Sequence, residues 1–257
     1  MDSTERVISI VSYLAADQKE HGITEICGRL KISKTTTHRI LSSLQRMSWV
    51  SKNAESRKFK IGPGLTAIGL GVLYNLDVRR TSLPYLKSLH QATDETAVLT
   101  LRVGYERVYT EQVEGSHEVR MITGLGKRFP LWVGAHGKCI LAFLEPEEIE
   151  EVLENLANSP AKILASGQML EIDHLRKELV KIRKQGYATS LGERVVGAAA
   201  VAAPIFSKDN KVAGALSVAG PQHRFTADIM KRYGSLVSKA AKNASIELGY
   251  VAPNESI

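Results

Sequence analysis

Cysteine is scarce in this sequence of 257 residues: there are two, Cys27 and Cys139, far apart in the chain. That excludes a disulfide-stapled scaffold and suits a reducing cytoplasm. Long apolar runs are missing as well. The longest, "VVGAAAVAAPIF" (Val195 to Phe206), is closed by Arg194 and Lys208 and falls short of the roughly 20 residues that span a bilayer. The opening "MDSTERVISI" carries acids where a signal peptide needs positive charge, so a cytoplasmic chain without membrane association is expected.

Several catalytic motifs are also lacking. There is no G-x-S-x-G, no H-E-x-x-H and no complete G-x-G-x-x-G, since "GLGKRF" ends in Phe129. "VGAHGKC" resembles a phosphate-binding loop only in part, because Trp132 stands where its first glycine belongs and Cys139 where a hydroxyl should meet magnesium. His136 and Cys139 have i, i+3 spacing, but two ligands do not make a metal site. No cofactor is called for.

Acidic residues are few in one region. From Arg29 to Lys60 there are nine Lys and Arg against one acid, and residues 1–64 carry +5 of the net charge of +7. A basic block this focused is either a solvated face or the footprint of a protein that grips phosphates.

The spacing of apolar residues decides between these. Val7, Ile8, Val11 and Leu14 share a helical face from about Ser3 to Asp17, with Asp2 and Glu5 in capping-box positions. "ITEICGRL" predicts a short second helix capped by Thr24. Ser33 then caps a third, marked by Ile40, Leu41, Leu44 and Met47. "WVSKNAESRKFKI" alternates on both sides of a polar turn at Asn53 to Ser56, as a hairpin does. Three helices and a hairpin make a winged helix-turn-helix. Such a domain binds double-stranded DNA.

Rotation by 100° per residue sorts the third helix. Thr37, Ile40, Leu41 and Met47 fall within about 60° of Leu44 and face inward, whereas Thr35, His38, Arg39, Ser42 and Arg46 face outward. Thr36 and Lys34 lie on the flanks. Thr35 is placed to meet a base edge, Arg39 to reach guanine or a phosphate and His38 to donate to either, with Ser33 and Thr36 beside them and Lys34 placed for a phosphate. Arg57, Lys58 and Lys60 of the wing are placed for phosphates, which set register and not sequence.

From Leu65 to Val78 an apolar stripe through Leu65, Ile68, Val72, Leu73 and Leu76 predicts a linker helix whose bare face calls for dimerisation. Beyond Arg79 the pattern becomes mixed. Helices are expected around "LPYLKSLHQAT", "HGKCILAFL", "EPEEIEEVLENL", "IDHLRKELVKIRKQG" and Thr226 to Leu248. Strands are expected at "TAVLTLRV" and "RVYTEQVE", turned at Gly104 and Tyr105, and at "GAAAVAAPIF" and "KVAGALSVAG", turned at "SKDN". Helices on an antiparallel sheet suit a small α+β sensory domain.

The order "SKTTTHRILSSLQRMSWV", "KFKIGPGLTAIG", "FPLWVGAHGKCILAFL", "GYATSLGERVVGAAAVAAPIF", "GALSVAGP" resembles the IclR family of bacterial transcription regulators over nearly the whole chain. The resemblance implies a multidomain α/β (α+β) architecture. Residues 1–64 would be the winged helix-turn-helix, 65–78 a linker helix and 79–251 a GAF-like domain that binds a small organic acid. It implies a homodimer or dimer of dimers on a pseudopalindromic operator, with repression favoured over activation.

The same resemblance implies an effector site. The loop from Pro130 to Lys138 would line it, with backbone groups of Ala135 and His136 holding a carboxylate at a helix start, where an anion is favoured. Ser190 stands where some members have Asp, Ala200 where some have Cys, and Ala219 replaces the second serine of a Ser-x-Ser pair that begins at Ser217. With Met121, Phe129 and Trp132 adding apolar wall, these changes predict a less polar pocket that suits a larger or aromatic acid. The competing class is an enzyme acting on a small acid, fused to a DNA-binding domain. It would need a titratable pair at the pocket, and His136 with Glu193 is the pair on offer.

Overall fold

A computed structural model describes residues 1–16, 19–74, 76–159 and 162–251, with the side chains of 73 and 74 left aside. The chain divides into two compact units, Met1–Asn75 and Leu76–Ile257.

The first unit opens with α1 (Ser3–Ala15). The Asp2 carboxylate accepts from the Thr4 and Glu5 amides, while Glu5 accepts from the Asp2 amide at 2.7 Å, so the capping box forms. The predicted end at Asp17 lies outside the described residues. Helix α2 (Ile23–Leu30) starts two residues earlier than a Thr24 cap would place it: Gly22 is the cap, and Glu25 reaches back to its amide. Ser33 caps α3 (Lys34–Arg46). Ile10, Leu14, Ile26, Ile40, Leu41 and Leu44 of the three helices meet in one core with Val50 and Phe59. Met47 does not join them. The helix ends at Arg46 and Met47 is its cap, so the stripe is not carried on and its side chain stays exposed.

Strands β1 (Val50–Lys52) and β2 (Phe59–Ile61) pair antiparallel, Val50 against Ile61. Their turn is held by Asn53, whose side chain accepts from the Glu55 and Ser56 amides. Gly62 follows because a Cβ there would lie 2.4 Å from the Ser48 carbonyl oxygen. Helix α4 (Pro63–Tyr74) then starts on a proline, whose missing N–H costs nothing at a first turn. It exposes Ile68, Leu70 and Val72, while the Leu73 side chain lies outside the described residues. The helix expected to run to residue 78 is in fact two. Leu76 has extended backbone and caps α5 (Asp77–Thr93).

The second unit is built on a six-stranded sheet. Its strands are β3 (Thr96–Val103), β4 (Glu106–Val113), β5 (Arg128–Pro130), β6 (Ala188–Leu191), β7 (Ala198–Phe206) and β8 (Val212–Pro221). Their order is β5-β4-β3-β8-β7-β6, and every neighbouring pair is antiparallel. The turn at Gly104 and Tyr105 forms as expected, with Gly104 in the left-handed region.

Strand β7 shows how the sheet is covered. Ala199, Val201, Ala203 and Ile205 face α5 and α9 (Ala227–Glu247), through Leu86, Leu89, Val237 and Ala241. Ala200 and Ala202 face the other layer, α6 (Gly134–Leu141), α7 (Pro146–Ala157) and α8 (Ile172–Gln185), through Ile140, Leu153, Leu175 and Leu179. Period-two alternation with both faces apolar explains why the strand reads as an unbroken hydrophobic run. The layered α+β arrangement is that of a GAF-like domain. Among the described residues no helix is long and apolar enough to cross a membrane.

Candidate DNA-reading helix and effector cavity

The three threonines that begin α3 face three environments. Thr35 is exposed, Thr36 half-buried and Thr37 wholly buried. Ser33 donates to the Thr36 hydroxyl at 2.9 Å and accepts from its amide at 3.3 Å, so both side chains are partly spent on capping. Lys34, Thr35, His38 and Arg39 stand out to solvent on one side of the helix. The His38 ring meets the Ser42 hydroxyl at 3.5 Å.

On the hairpin, Arg57, Lys58 and Lys60 are all exposed, Arg57 at the left-handed end of the turn. Lys60 is not wholly free for a phosphate, since its ammonium lies 3.4 Å from Glu20. Glu20 also accepts from Asn53 and Ser56, and these bonds, Asn53's first, hold its carboxyl below the usual range. A charged Glu20 thus ties the loop before α2 to the wing.

In the second unit a cavity of about 30 Å³ lies between the sheet and the start of α6. Met121, His136, Ser190, Ala200 and Ala219 line it, as do Arg107, Tyr109, Thr123, Glu193 and Arg194. Phe129, Ala135 and Ser217 stand behind the lining. Phe129 packs on Tyr109 with ring centroids 5.5 Å apart, Ala135 is fully buried, and Ser217 bonds the His136 Nε2 at 2.6 Å. Trp132 is part of the core on the α6 side.

Beside its small apolar residues the pocket carries a cationic wall that the sequence analysis did not anticipate. Arg107 projects from β4 and is completely buried. Its Nη1 donates to the Pro130 carbonyl oxygen, while Nε and Nη2 have no acceptor among the described residues. Burial pushes this guanidinium below its ordinary value, yet an arginine that begins so high keeps its proton. Arg194 enters from the loop between β6 and β7, bounded by Gly192 and Gly197, both in the left-handed region.

The α6 N-terminus, expected to take the ligand, already has an anion. Glu193 accepts from the Gly134 amide at 2.9 Å, and its other oxygen accepts from Lys138 at 2.6 Å. Lys138 donates to Glu178 as well, at 2.6 Å. His136 is neutral: burial, then the charges of Arg107 and Arg194, drive it well below its ordinary value near 6.5. Burial also raises the Cys139 thiol, so it offers no thiolate beside His136. Among the described residues no group of three His, Cys, Asp or Glu is gathered as a metal site would need.

Of the lining residues that sequence reasoning missed, which include Tyr109, Thr123 and Arg194, Arg107 is the most deeply buried charge. A signal was present, because period two in "RVYTEQV" puts Arg107 on the face of Tyr109, and Tyr109 is buried.

Residues 3–54 match the profile of the IclR helix-turn-helix domain, and residues 70–246 that of the bacterial transcriptional regulator IclR C-terminal domain. The chain is 33% identical to the HTH-type transcriptional regulator KipR of Bacillus subtilis, over 89% of this chain and 90% of KipR. It is 31% identical to the HTH-type transcriptional repressor AllR of Salmonella typhi, over 97% and 90% of the two chains. The crystal structure of an IclR transcriptional regulator from Alicyclobacillus acidocaldarius shares its architecture with a TM-score of 0.85 at 28% identity, over 96% of this chain and 98% of that one. These relatives are regulators, which removes the enzyme reading. The chain belongs to the IclR family of bacterial transcriptional regulators, proteins that bind DNA through the first unit and small-molecule effectors through the second.

Proposed function

We propose that this chain represses transcription by holding a pseudopalindromic operator as a homodimer or dimer of dimers in the cytoplasm, and that a small organic acid alters that hold. The observation that carries the reading is an arginine-lined cavity in the second unit of a chain whose first unit presents a basic, exposed helix α3. Residues 1–64 would read DNA, 65–78 connect, and 79–251 sense. Repression is supported by the name of the relative AllR. In the DNA unit, Thr35, His38 and Arg39 meet bases, while Ser33, Lys34, Thr36, Arg57, Lys58 and Lys60 meet the backbone.

The cavity argues for a short carboxylic acid over an aromatic one. At about 30 Å³ it has space for a head group, whereas cavities that take up a benzene ring are nearer ~150 Å³. Met121, His136, Ser190, Ala200 and Ala219 would surround that head group, with Phe129, Ala135 and Ser217 as support.

The test is an equilibrium titration. An operator is selected from random duplexes with the full chain, and its affinity is measured with and without short monocarboxylates at fixed salt. A change of about 5- to 150-fold is expected; unchanged affinity with every acid contradicts the reading.

A further inference from the structure

Arg107 presents an unsolved problem in the free protein. A buried guanidinium keeps its charge, and two of its donors, Nε and Nη2, are idle beside a cavity that the residue itself lines. Arg194 adds to the problem. Both guanidinia lie against the same two rings, at 5.9 and 5.6 Å from the Tyr109 centroid and 5.5 and 4.9 Å from that of Phe129.

The neighbouring charges do not cancel. Arg107, Arg194 and Lys138 bring three positive charges, and Glu178 and Glu193 two negative. Glu193 has already committed its oxygens to Lys138 and Gly134. One positive charge and a pair of donors remain, and Nε with Nη2 forms the edge of a guanidinium that matches the two oxygens of a carboxylate.

Resting on the acid-responsive reading above, we propose that the Arg107–Arg194 pair, and not the start of α6, anchors the effector, and that the effector is a short monocarboxylate. A second negative charge on the ligand would sit beside Glu193, which lines the same space. The small side chains of Ala200 and Ala219 leave room for the rest of the molecule. Ser190 and Glu193 also line an open cleft of about 740 Å³.

Thermal unfolding of the full chain tests this at constant ionic strength, with sodium formate, acetate, glyoxylate and propionate as probes and oxalate and inorganic phosphate as dianionic controls. The monocarboxylates raise the Tm of the wild type in a saturable way, and the dianions do not. Arg107→Met, which removes a buried guanidinium with two unbonded donors, raises the Tm of the acid-free protein and weakens the acid response about ten- to hundredfold. Arg194→Gln, at a half-buried loop position, weakens the response without disturbing the core.

Four results overturn the assignment in distinguishable ways. A response retained in Arg107→Met and Arg194→Gln removes the anchor but leaves the acid-responsive reading standing. A wild type that answers to none of the four acids removes both. An acid-free Arg107→Met that melts lower than the wild type makes Arg107 a structural prop, and an equal response to oxalate or phosphate removes the single-charge rule.

Discussion

Thr37 carries a hydroxyl into the core of the DNA-reading unit and finds no partner for it among the described residues. The sequence placed it inward by rotation alone, but could not disclose the idle hydroxyl. That separates two substitutions. Thr37→Val keeps the shape and deletes an unsatisfied group, so the midpoint of urea unfolding stays or rises. Thr37→Ala removes a methyl as well and costs about 1 kcal/mol. A Thr37→Val protein less stable than the wild type by about 1 kcal/mol or more would show that the hydroxyl is bonded after all.

His136 gives a second expectation at this scale, in pH. Its ring is held neutral in the folded state, well below the ordinary 6.5, whereas the unfolded chain takes up the proton near 6.5. Below that pH the unfolded state binds more protons, so stability falls by up to about 1.4 kcal/mol per pH unit from this group, and is recovered as pH rises past 6.5. Wild type and His136→Gln compared by urea unfolding between pH 5 and 8 reveal the difference: the variant has the shallower slope.

At the scale of elements, α3 and the hairpin divide the work on DNA in the proposed reading. Arg39→Ala should cost roughly 1 to 3 kcal/mol at the operator and relax preference at one base pair. Lys58→Ala should weaken every sequence about equally and reduce the slope of log K against log salt by about one. Anisotropy titrations on operator and scrambled duplexes, at several salt concentrations, tell these apart. Lys60→Ala should do less than Lys58→Ala, because Glu20 already engages Lys60.

The long elements were legible because each declares a period: α3 through Ile40, Leu41 and Leu44, β7 and β8 through apolar runs closed by a polar turn. The short edge strands β5 and β6, of three and four residues, are too brief to show one. The cavity was half legible. Its small residues were found by resemblance, whereas Arg107 was passed over because a charged residue in a strand is ordinarily assumed to face water.

The whole molecule must join two units, and α4 is the element that connects the DNA-reading core to α5. It has no charged residue from Pro63 to Tyr74 and exposes Ile68, Leu70 and Val72, a surface that a second copy would cover. Leu70→Glu should shift the protein towards monomer in sedimentation and weaken operator binding tenfold or more, since burying one leucine contributes ~1.5 to 3 kcal/mol.

Coupling between effector and operator is the central claim, and thermodynamics makes it reciprocal. The direct measurement is the dissociation constant of the acid that gives the largest thermal shift, determined by calorimetry on the full chain alone and on the chain saturated with operator. The two constants should differ by the same factor by which that acid changes operator affinity. Identical constants with and without DNA would mean that the cavity and the reading helix do not communicate, and would contradict the account.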